Sequence, residues 1–96
     1  MGDRYHNQEN IRIGLIVKDF REAMGFSRSE LGRLTGYSYE LIGAVERGKR
    51  NCTVTARRKI VDALGVPLAI FTDASVREER MSLLRNGVRP VETSAA

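Results

Sequence analysis

Apolar side chains recur at intervals of three and four residues from position 13, which is the spacing of one face of an α-helix. This first run ends at Gly25, and glycine commonly follows the last turn of a helix. Residues 1–10 show no apolar periodicity, so we predict a flexible N-terminal arm there and a helix after it. The apolar positions of this helix are Ile13, Ile16, Val17, Phe20, Ala23 and Met24.

A second, shorter helix is predicted over residues 28–35. Ser27 precedes it as an N-cap residue, and Glu30 stands three positions later, which is the spacing of a capping box. In a capping box, each of the two side chains accepts from a backbone amide that has no partner inside the helix. Gly36 ends this helix. We expect its apolar residues Leu31 and Leu34 to point into the core.

A third helix is predicted over residues 39–47. Ser38 is its N-cap candidate, because a serine hydroxyl accepts from an amide two or three residues further along. Gly48 ends the helix. Ile42 and Val45 are its predicted buried pair.

Two further helices are predicted towards the C-terminus. Thr53 or Thr55 can cap a fourth helix that runs through Leu64 and stops at Gly65. A short fifth helix is predicted over residues 67–71, because proline fits the first turn of a helix. Backbone N–H groups in the first turn have no partner within the helix, so the N–H that proline lacks is not needed there. The inward residues of the fourth helix are expected to be Ile60, Ala63 and Leu64.

The segment after Asp73 is less regular. Ser75 and Glu78 have the spacing of another capping box. They predict a C-terminal helix over residues 75–87 that forms alone or against a partner. Residues 88–96 have low apolar density and are predicted to be a flexible tail.

Five short helices and no convincing strand predict an all-α fold, a five-helix bundle over residues 11–73 with residues 74–96 as an extension. A chain of 96 residues has room for one modest core. The single cysteine, Cys52, excludes an intrachain disulfide framework and a zinc site built on cysteines. The longest apolar run, residues 68–71, is far shorter than the roughly 20 residues of a membrane span. We therefore expect a cytoplasmic protein with no membrane partner.

The positive charge is concentrated in one part of the chain. The net charge of the whole chain is +4, yet residues 28–59 carry eight basic and three acidic residues, a net charge of +5. A block of this kind favours a polyanionic partner. A solvated basic surface without a partner is the alternative on charge alone.

The helix over residues 28–35, the turn at Gly36 and the helix over residues 39–47 form a helix-turn-helix pattern, because glycine supplies the positive φ that folds one helix across the next. The chain resembles the Cro and phage-repressor family of helix-turn-helix proteins, also called the xenobiotic response element type, from about residue 13 to residue 73. The matching motifs are IGxxVxxFR, GFS, ELGRLTGYS, LIGAVERGKR and ALGVPLAIF. The resemblance covers about two-thirds of the 96 residues.

The resemblance implies that the helix over residues 39–47 lies in the major groove of DNA, a channel about 12 Å wide that admits one helix. Glu40 then accepts from a cytosine amino group, and Ala44 touches a thymine methyl group. Tyr39 packs on a base edge, bonds a phosphate, or is an ordinary surface aromatic. Small residues let the helix backbone come close to DNA. The base-contact positions carried over from the family are Tyr39, Glu40, Gly43 and Ala44.

Phosphate contacts are expected on both sides of this helix. Arg28 stands where the family usually has Gln, at a helix N-terminus whose dipole and free amides favour an anion. Ser27 and Ser38 act as caps alone or also share a hydroxyl with a phosphate, and Arg57 and Arg58 are solvated or contact DNA. The expected phosphate contacts are Ser27, Arg28, Ser38, Arg47, Lys49 and Arg50.

Arg21 and Glu46 match a family pair that forms a salt bridge beneath the recognition helix. Removing one partner of a buried ion pair costs about 3–5 kcal/mol. We therefore expect loss of this pair to unfold the domain and not to change its sequence preference.

Several residues depart from the family pattern. Gly32 stands where alanine is usual and Tyr37 where valine is usual, while Arg57 replaces an inward apolar residue and leaves the register of the fourth helix open. Three residues are apolar where the family is often polar, and they form a surface for a partner or are scattered exposed side chains of the ordinary kind. These three are Leu15, Ile16 and Leu41.

The sequence predicts a transcriptional regulator, a repressor, that binds specific double-stranded DNA as a homodimer on a two-fold-symmetric operator. One short helix reads few base pairs, so two half-sites about 34 Å apart multiply the discrimination. The alternative is a protein-interaction adaptor or antitoxin-like partner that presents its apolar surface to another protein.

An enzymatic function is the weakest interpretation. His6 lies in the predicted arm, where an isolated histidine is seldom catalytic. Cys52 follows a basic loop of a kind that can lower a thiol pKa, but no histidine or asparagine is placed to form a dyad with it, so a small polar loop residue is the better interpretation. No phosphate-binding glycine loop or metal-ligand cluster appears, so we expect no cofactor and no metal.

Overall fold

The computed structural model describes the backbone of residues 2–87 and the side chains of residues 8–87. Within these residues the chain is entirely helical and contains no strand, which confirms the predicted all-α class. The predicted tail over residues 88–96 lies outside them. The elements are α1 (Gly2–Ala23), α2 (Arg28–Thr35), α3 (Tyr39–Glu46), α4 (Val54–Leu64), a 3-10 helix (Leu68–Phe71) and α5 (Ala74–Arg85).

The first helix begins earlier than the apolar pattern predicts. α1 starts at Gly2, so the prediction of an arm without helix over residues 1–10 was wrong for residues 2–10. Arg12 donates to Glu9 at 2.8 Å and to the carbonyl oxygen of Phe71 at 2.9 Å, which ties this end of α1 to the 3-10 helix. Once a helix has formed, each residue added to it gains one backbone hydrogen bond, so α1 can extend beyond its apolar face.

The predicted caps of the three middle helices are confirmed. Ser27 and Glu30 form the reciprocal capping box at the start of α2, and the Ser38 hydroxyl accepts from the Leu41 amide at 3.0 Å. Of the two threonines that can cap α4, Thr53 does so, accepting from the Ala56 amide. Each of these bonds lies within three residues along the chain, which is why local spacing predicts them.

The C-terminal elements differ in detail from the prediction. The short helix after α4 is a 3-10 helix, and Pro67 precedes it as an extended residue instead of lying in its first turn. Asp73 caps α5 by accepting from the amides of Ser75 and Val76. The predicted capping box of Ser75 and Glu78 was therefore wrong, because an aspartate two residues earlier takes the cap position.

The core lies where α1, α2, α3 and α4 meet, and the 3-10 helix and α5 close it from one end. The predicted inward residues of α1, α3 and α4 are buried or half-buried, whereas Leu34 of α2, which we expected inside, has an exposed fraction of 47%. Two of the largest core side chains come from α1 and the 3-10 helix. The most deeply buried residues are Phe20, Phe71, Ile13, Leu31, Ile42, Ile60, Leu64, Ile70, Val17 and Cys52.

The closest approach between helices places α1 directly beneath the C-terminal end of α3. A Cβ atom at Gly14 would overlap the carbonyl oxygen of Val45 and lie 2.7 Å from that of Glu46. Both obstacles are backbone atoms, so they cannot turn aside as a flexible side chain does. The absence of a side chain at Gly14 therefore determines how deeply α3 sits on α1.

We predict that Gly14→Ala lowers the free energy of unfolding by about 1–3 kcal/mol, the usual cost of forcing extra volume into a packed contact. Urea unfolding followed by circular dichroism measures this. Leu15→Ala is the matched control, because Leu15 is on the same helix with half of its side chain exposed. We expect the control to cost about 0.5 kcal/mol or less. Equal stability of Gly14→Ala and the unaltered chain would contradict the close contact.

Candidate nucleic-acid interface

The helix-turn-helix consists of α2, the turn at Gly36 and α3. Gly36 has a φ of 81°, a conformation that glycine adopts without strain. A Cβ atom at Gly32 would lie 2.5 Å from the carbonyl oxygen of Tyr37, so the turn passes too close to α2 for the alanine that is usual there. Tyr37 is half-buried, and the ammonium nitrogen of Lys59 lies 5.4 Å from the centre of its ring. Both departures from the family pattern therefore have a structural reason.

A buried ion pair supports α3 from below. Arg21 Nε donates to Glu46 Oε2 at 2.6 Å, Arg21 Nη2 donates to Glu46 Oε1 at 3.1 Å, and Arg21 Nη1 donates to the carbonyl oxygen of Phe26 at 2.7 Å. The Glu46 side chain is 1% exposed and that of Arg21 is 8% exposed. Two parallel hydrogen bonds to one carboxylate set both distance and orientation. The ion pair expected from the sequence is thus present in the structure.

Arg28 is a third member of this group. Its Nε donates to Glu46 Oε1 at 3.1 Å, and about a third of its side chain is exposed. The pKa of the Arg28 guanidinium is raised above its usual value, first by the hydrogen bond to Glu46 and then by the interaction with the Tyr39 hydroxyl. The sequence presented Arg28 only as a phosphate contact. In the structure it also links the start of α2 to the end of α3, while its other N–H groups remain able to donate.

The outward side of α3 differs from the expectation at one position. Tyr39 and Glu40 are exposed and Ala44 is half-buried, but Gly43 is buried. A Cβ atom at Gly43 would lie 3.0 Å from Arg47 Nη1 and 3.9 Å from Arg28 Cδ. The expectation that Gly43 leaves the helix backbone open was wrong, because two arginine side chains cover it.

The other candidate phosphate ligands form two classes. Arg47, Lys49 and Arg50 are exposed, and none of their side chains has a hydrogen bond or an ion pair among the described residues. The hydroxyls of Ser27 and Ser38 accept from helix amides, and each keeps a proton to donate. The structure brings Arg28, Tyr39, Gly43 and Arg47 together across the two helices.

The loop after α3 contains no reactive thiol. Cys52 is buried, and burial raises the pKa of its thiol, although Arg57 acts in the opposite direction. The interpretation of Cys52 as a small polar loop residue was wrong, because its side chain is part of the core. Arg57 Nε donates to the carbonyl oxygen of Cys52 at 2.8 Å, and its guanidinium lies 5.7 Å from the ring centre of Phe71. Arg57 thus covers the core from its edge, which explains a basic residue at an inward position.

The three apolar residues that suggested a partner surface do not form one. Leu15 is half exposed, but Ile16 is buried and Leu41 is half-buried against the core. Ile16 lines a groove between α1 and α5 together with Met81. The adaptor hypothesis loses most of the surface on which it depended.

Two observations bear on other site types. No group of three or more histidine, cysteine, aspartate or glutamate residues among residues 8–87 is arranged to hold a metal ion. Over the same part of the chain, no helix combines the length and the apolar character that crossing a membrane requires.

Sequence reasoning missed two contacts of this site. The first is the bond from Arg28 to Glu46, which joins residues 18 positions apart and leaves no local signal. The second is the placement of Arg47 over Gly43. Their spacing of four residues was a usable signal, since such residues are neighbours on a helix surface.

Comparison with known proteins gives two matches. A family model described as helix-turn-helix matches residues 17–71. The HTH-type transcriptional regulator SutR of Escherichia coli (strain K12) is 36% identical over 59 residues, which are 62% of this chain and 33% of SutR. The chain therefore spans about a third of the length of that relative. The matched residues include α2, α3 and α4 in full.

We predict that Glu46→Ala lowers the free energy of unfolding by about 3–5 kcal/mol, because it leaves the buried Arg21 guanidinium with only the exposed Glu22 carboxylate, 3.8 Å away, as a counter-charge. Glu9→Ala is the matched control. Glu9 also binds an arginine at 2.8 Å, but both side chains of that pair are about half exposed, so its loss costs about 1 kcal/mol or less. Urea unfolding of the two variants provides the measurement, and similar losses would show that burial of the pair is not what stabilises α3.

Proposed function

The chain belongs to the Cro/C1-type helix-turn-helix family, and we propose that it is a transcriptional regulator that binds specific double-stranded DNA. One observation carries this proposal. The outward side of α3 does not pack against the core and is covered only by arginine side chains. On the underside of the helix, Glu46 pairs with Arg21 and Arg28. A helix presented in this way is suited to enter the major groove.

Base recognition is proposed for the outward residues of α3. Glu40 is exposed and can accept from a cytosine amino group, and Ala44 can contact a thymine methyl group. Tyr39 has an exposed fraction of 52%, and its hydroxyl interacts with the Arg28 guanidinium. We propose that these residues contribute sequence preference, with Gly43 lying beneath a neighbouring side chain.

Phosphate binding is proposed for the cations around α3. Lys49 and Arg50 follow the end of the helix and have no acidic partner among the described residues, so their charge is available to DNA. Arg28 and the two capping serines lie at the N-termini of α2 and α3, where the helix dipole favours an anion. Such contacts position a protein on DNA without reading sequence.

We further propose that the regulator acts as a homodimer and represses by occupying its operator. A helix of eight residues reaches few base pairs, whereas two copies related by a two-fold axis read twice as many. The relative SutR is named a transcriptional regulator. The match covers about a third of the length of SutR. The name of SutR therefore supports the DNA-binding part of this proposal more than any activity of the whole protein.

We predict that affinity for a selected duplex falls steeply with salt, because cations that neutralise phosphates release bound counterions. Lys49→Ala combined with Arg50→Ala should lower the slope of log affinity against log salt by about 2, and weaken all sequences alike. Arg85→Ala is the matched control, since Arg85 is an exposed cation on α5 that the proposal does not place on DNA, and it should leave the slope unchanged. Fluorescence anisotropy over a salt series measures the slopes. A slope that is near zero in the unaltered chain would overturn the proposal and favour the adaptor.

We predict that duplexes selected from a random pool contain two half-sites related by two-fold symmetry and spaced by about 34 Å. Inserting about five base pairs between them rotates one half-site by half a turn of the duplex, so affinity should fall to that of a single half-site. Electrophoretic mobility shift with the original and the lengthened duplex tests this. Unchanged affinity after the insertion would exclude a symmetric dimer on DNA.

A further inference from the structure

The face of α3 that we propose to enter the groove carries the guanidinium of Arg47. The sequence predicts a phosphate contact beside the helix for this side chain. Gly43 is buried although it lies on the outward side of the helix, because Arg47 folds back over it. A Cβ atom at Gly43 would lie 3.0 Å from Arg47 Nη1 and 3.8 Å from Arg47 Cζ. Arg47 itself is exposed. The guanidinium therefore occupies the outward surface one turn before its own Cα.

Helix geometry explains this placement. Side chains on a helix lean towards its N-terminus, so a residue covers the turn before it, and the partner four positions earlier lies beneath it. Arg47 keeps a helical backbone, with φ of −86° and ψ of 0°. Because Gly43 has no side chain, the Arg47 side chain can lie flat against the helix. A larger residue at position 43 would lift it away.

The Arg47 guanidinium differs from those of Arg21, Arg28 and Arg57 in having no acceptor within the protein. Arg21 and Arg28 both donate to Glu46, and Arg57 donates to a backbone carbonyl. Arg47, like Lys49 and Arg50, makes no side-chain hydrogen bond or ion pair among the described residues. Its N–H donors are thus available to a ligand on the outward side of α3.

We propose that Arg47 is a specificity-determining residue that reads a guanine in the major groove, and that Gly43 is the seat that holds its guanidinium in position. The inference rests on the proposed function. Glu40, Gly43, Ala44 and Arg47 occupy positions i, i+3, i+4 and i+7. This spacing places them on one face of the helix. Guanine presents two acceptors, N7 and O6, which match the planar fork of an arginine. The alternative role for Arg47, contact with a phosphate, is an outcome of the test.

The experiment begins with the duplex that the unaltered chain selects, in which each guanine is replaced in turn by 7-deazaguanine, a base that lacks the N7 acceptor. We expect one position per half-site to lose affinity in the unaltered chain and not in Arg47→Ala. Replacing that G·C pair by A·T should cost the unaltered chain roughly 5- to 150-fold, the range for one bidentate base contact, and should cost Arg47→Ala close to nothing.

Arg47→Lys separates base reading from phosphate binding, because it keeps the charge but loses the fork. The proposal expects this variant to keep the salt slope of the unaltered chain and to lose the preference for guanine. A phosphate role predicts that Arg47→Lys keeps both, and that Arg47→Ala weakens all sequences alike while lowering the salt slope by about 1. The second pattern would overturn the proposal.

Gly43→Ala tests the seat. We expect Gly43→Ala alone to reduce the preference for guanine at the same base pair. Added to Arg47→Ala, the same substitution should have no such effect. An equal effect in both backgrounds would mean that position 43 acts independently of Arg47 and would overturn the seat. Far-ultraviolet circular dichroism confirms that each variant is folded. If the unaltered chain binds no duplex at all, the proposed function fails. If it binds its selected duplex but Arg47→Ala does not change the preference for guanine, only this inference fails.

Discussion

The Glu46 carboxylate is the point on which the geometry of the domain depends. It is almost completely buried, and a buried charge is tolerated only when it is paired and hydrogen-bonded. Its partners come from two other helices, Arg21 of α1 and Arg28 of α2. Because one carboxylate near the end of α3 must satisfy both, the positions of α1 and α2 beneath it are coupled. The three helices are therefore joined by charge as well as by apolar packing.

Close backbone contacts make this arrangement possible. Gly14 lets α1 pass directly under the carbonyl groups at the end of α3, and Gly32 lets the turn fold back on α2. With a side chain at Gly14, α1 and α3 would have to lie further apart, which would lengthen the hydrogen bonds from Arg21 to Glu46. Small residues at the helix crossings thus support the ion pair, and the ion pair in turn holds the crossings together.

The basic residues fall into two groups, those with an acceptor within the protein and those without one. Arg21, Arg28 and Arg57 donate to acceptors within the protein, and their role is at least partly structural. Arg47, Lys49 and Arg50 have no such acceptor among the described residues. Positive charge without an internal partner raises the local potential and attracts a polyanion. Net charge alone does not distinguish these two groups of residues.

The sequence by itself determined the helices, most of their caps and the family. Its signals were interactions between residues three or four positions apart, such as the Ser27 and Glu30 box, and a motif that covers α2 and α3. Only the tertiary structure decided which residues share Glu46, how far α1 extends, that Ile16 is buried, and that arginine covers Gly43. Except for the Gly43 cover, these features depend on contacts between distant parts of the chain, as between Arg12 and Phe71. Periodicity and capping rules describe a helix in isolation, and they carry no information about what its neighbours place against it.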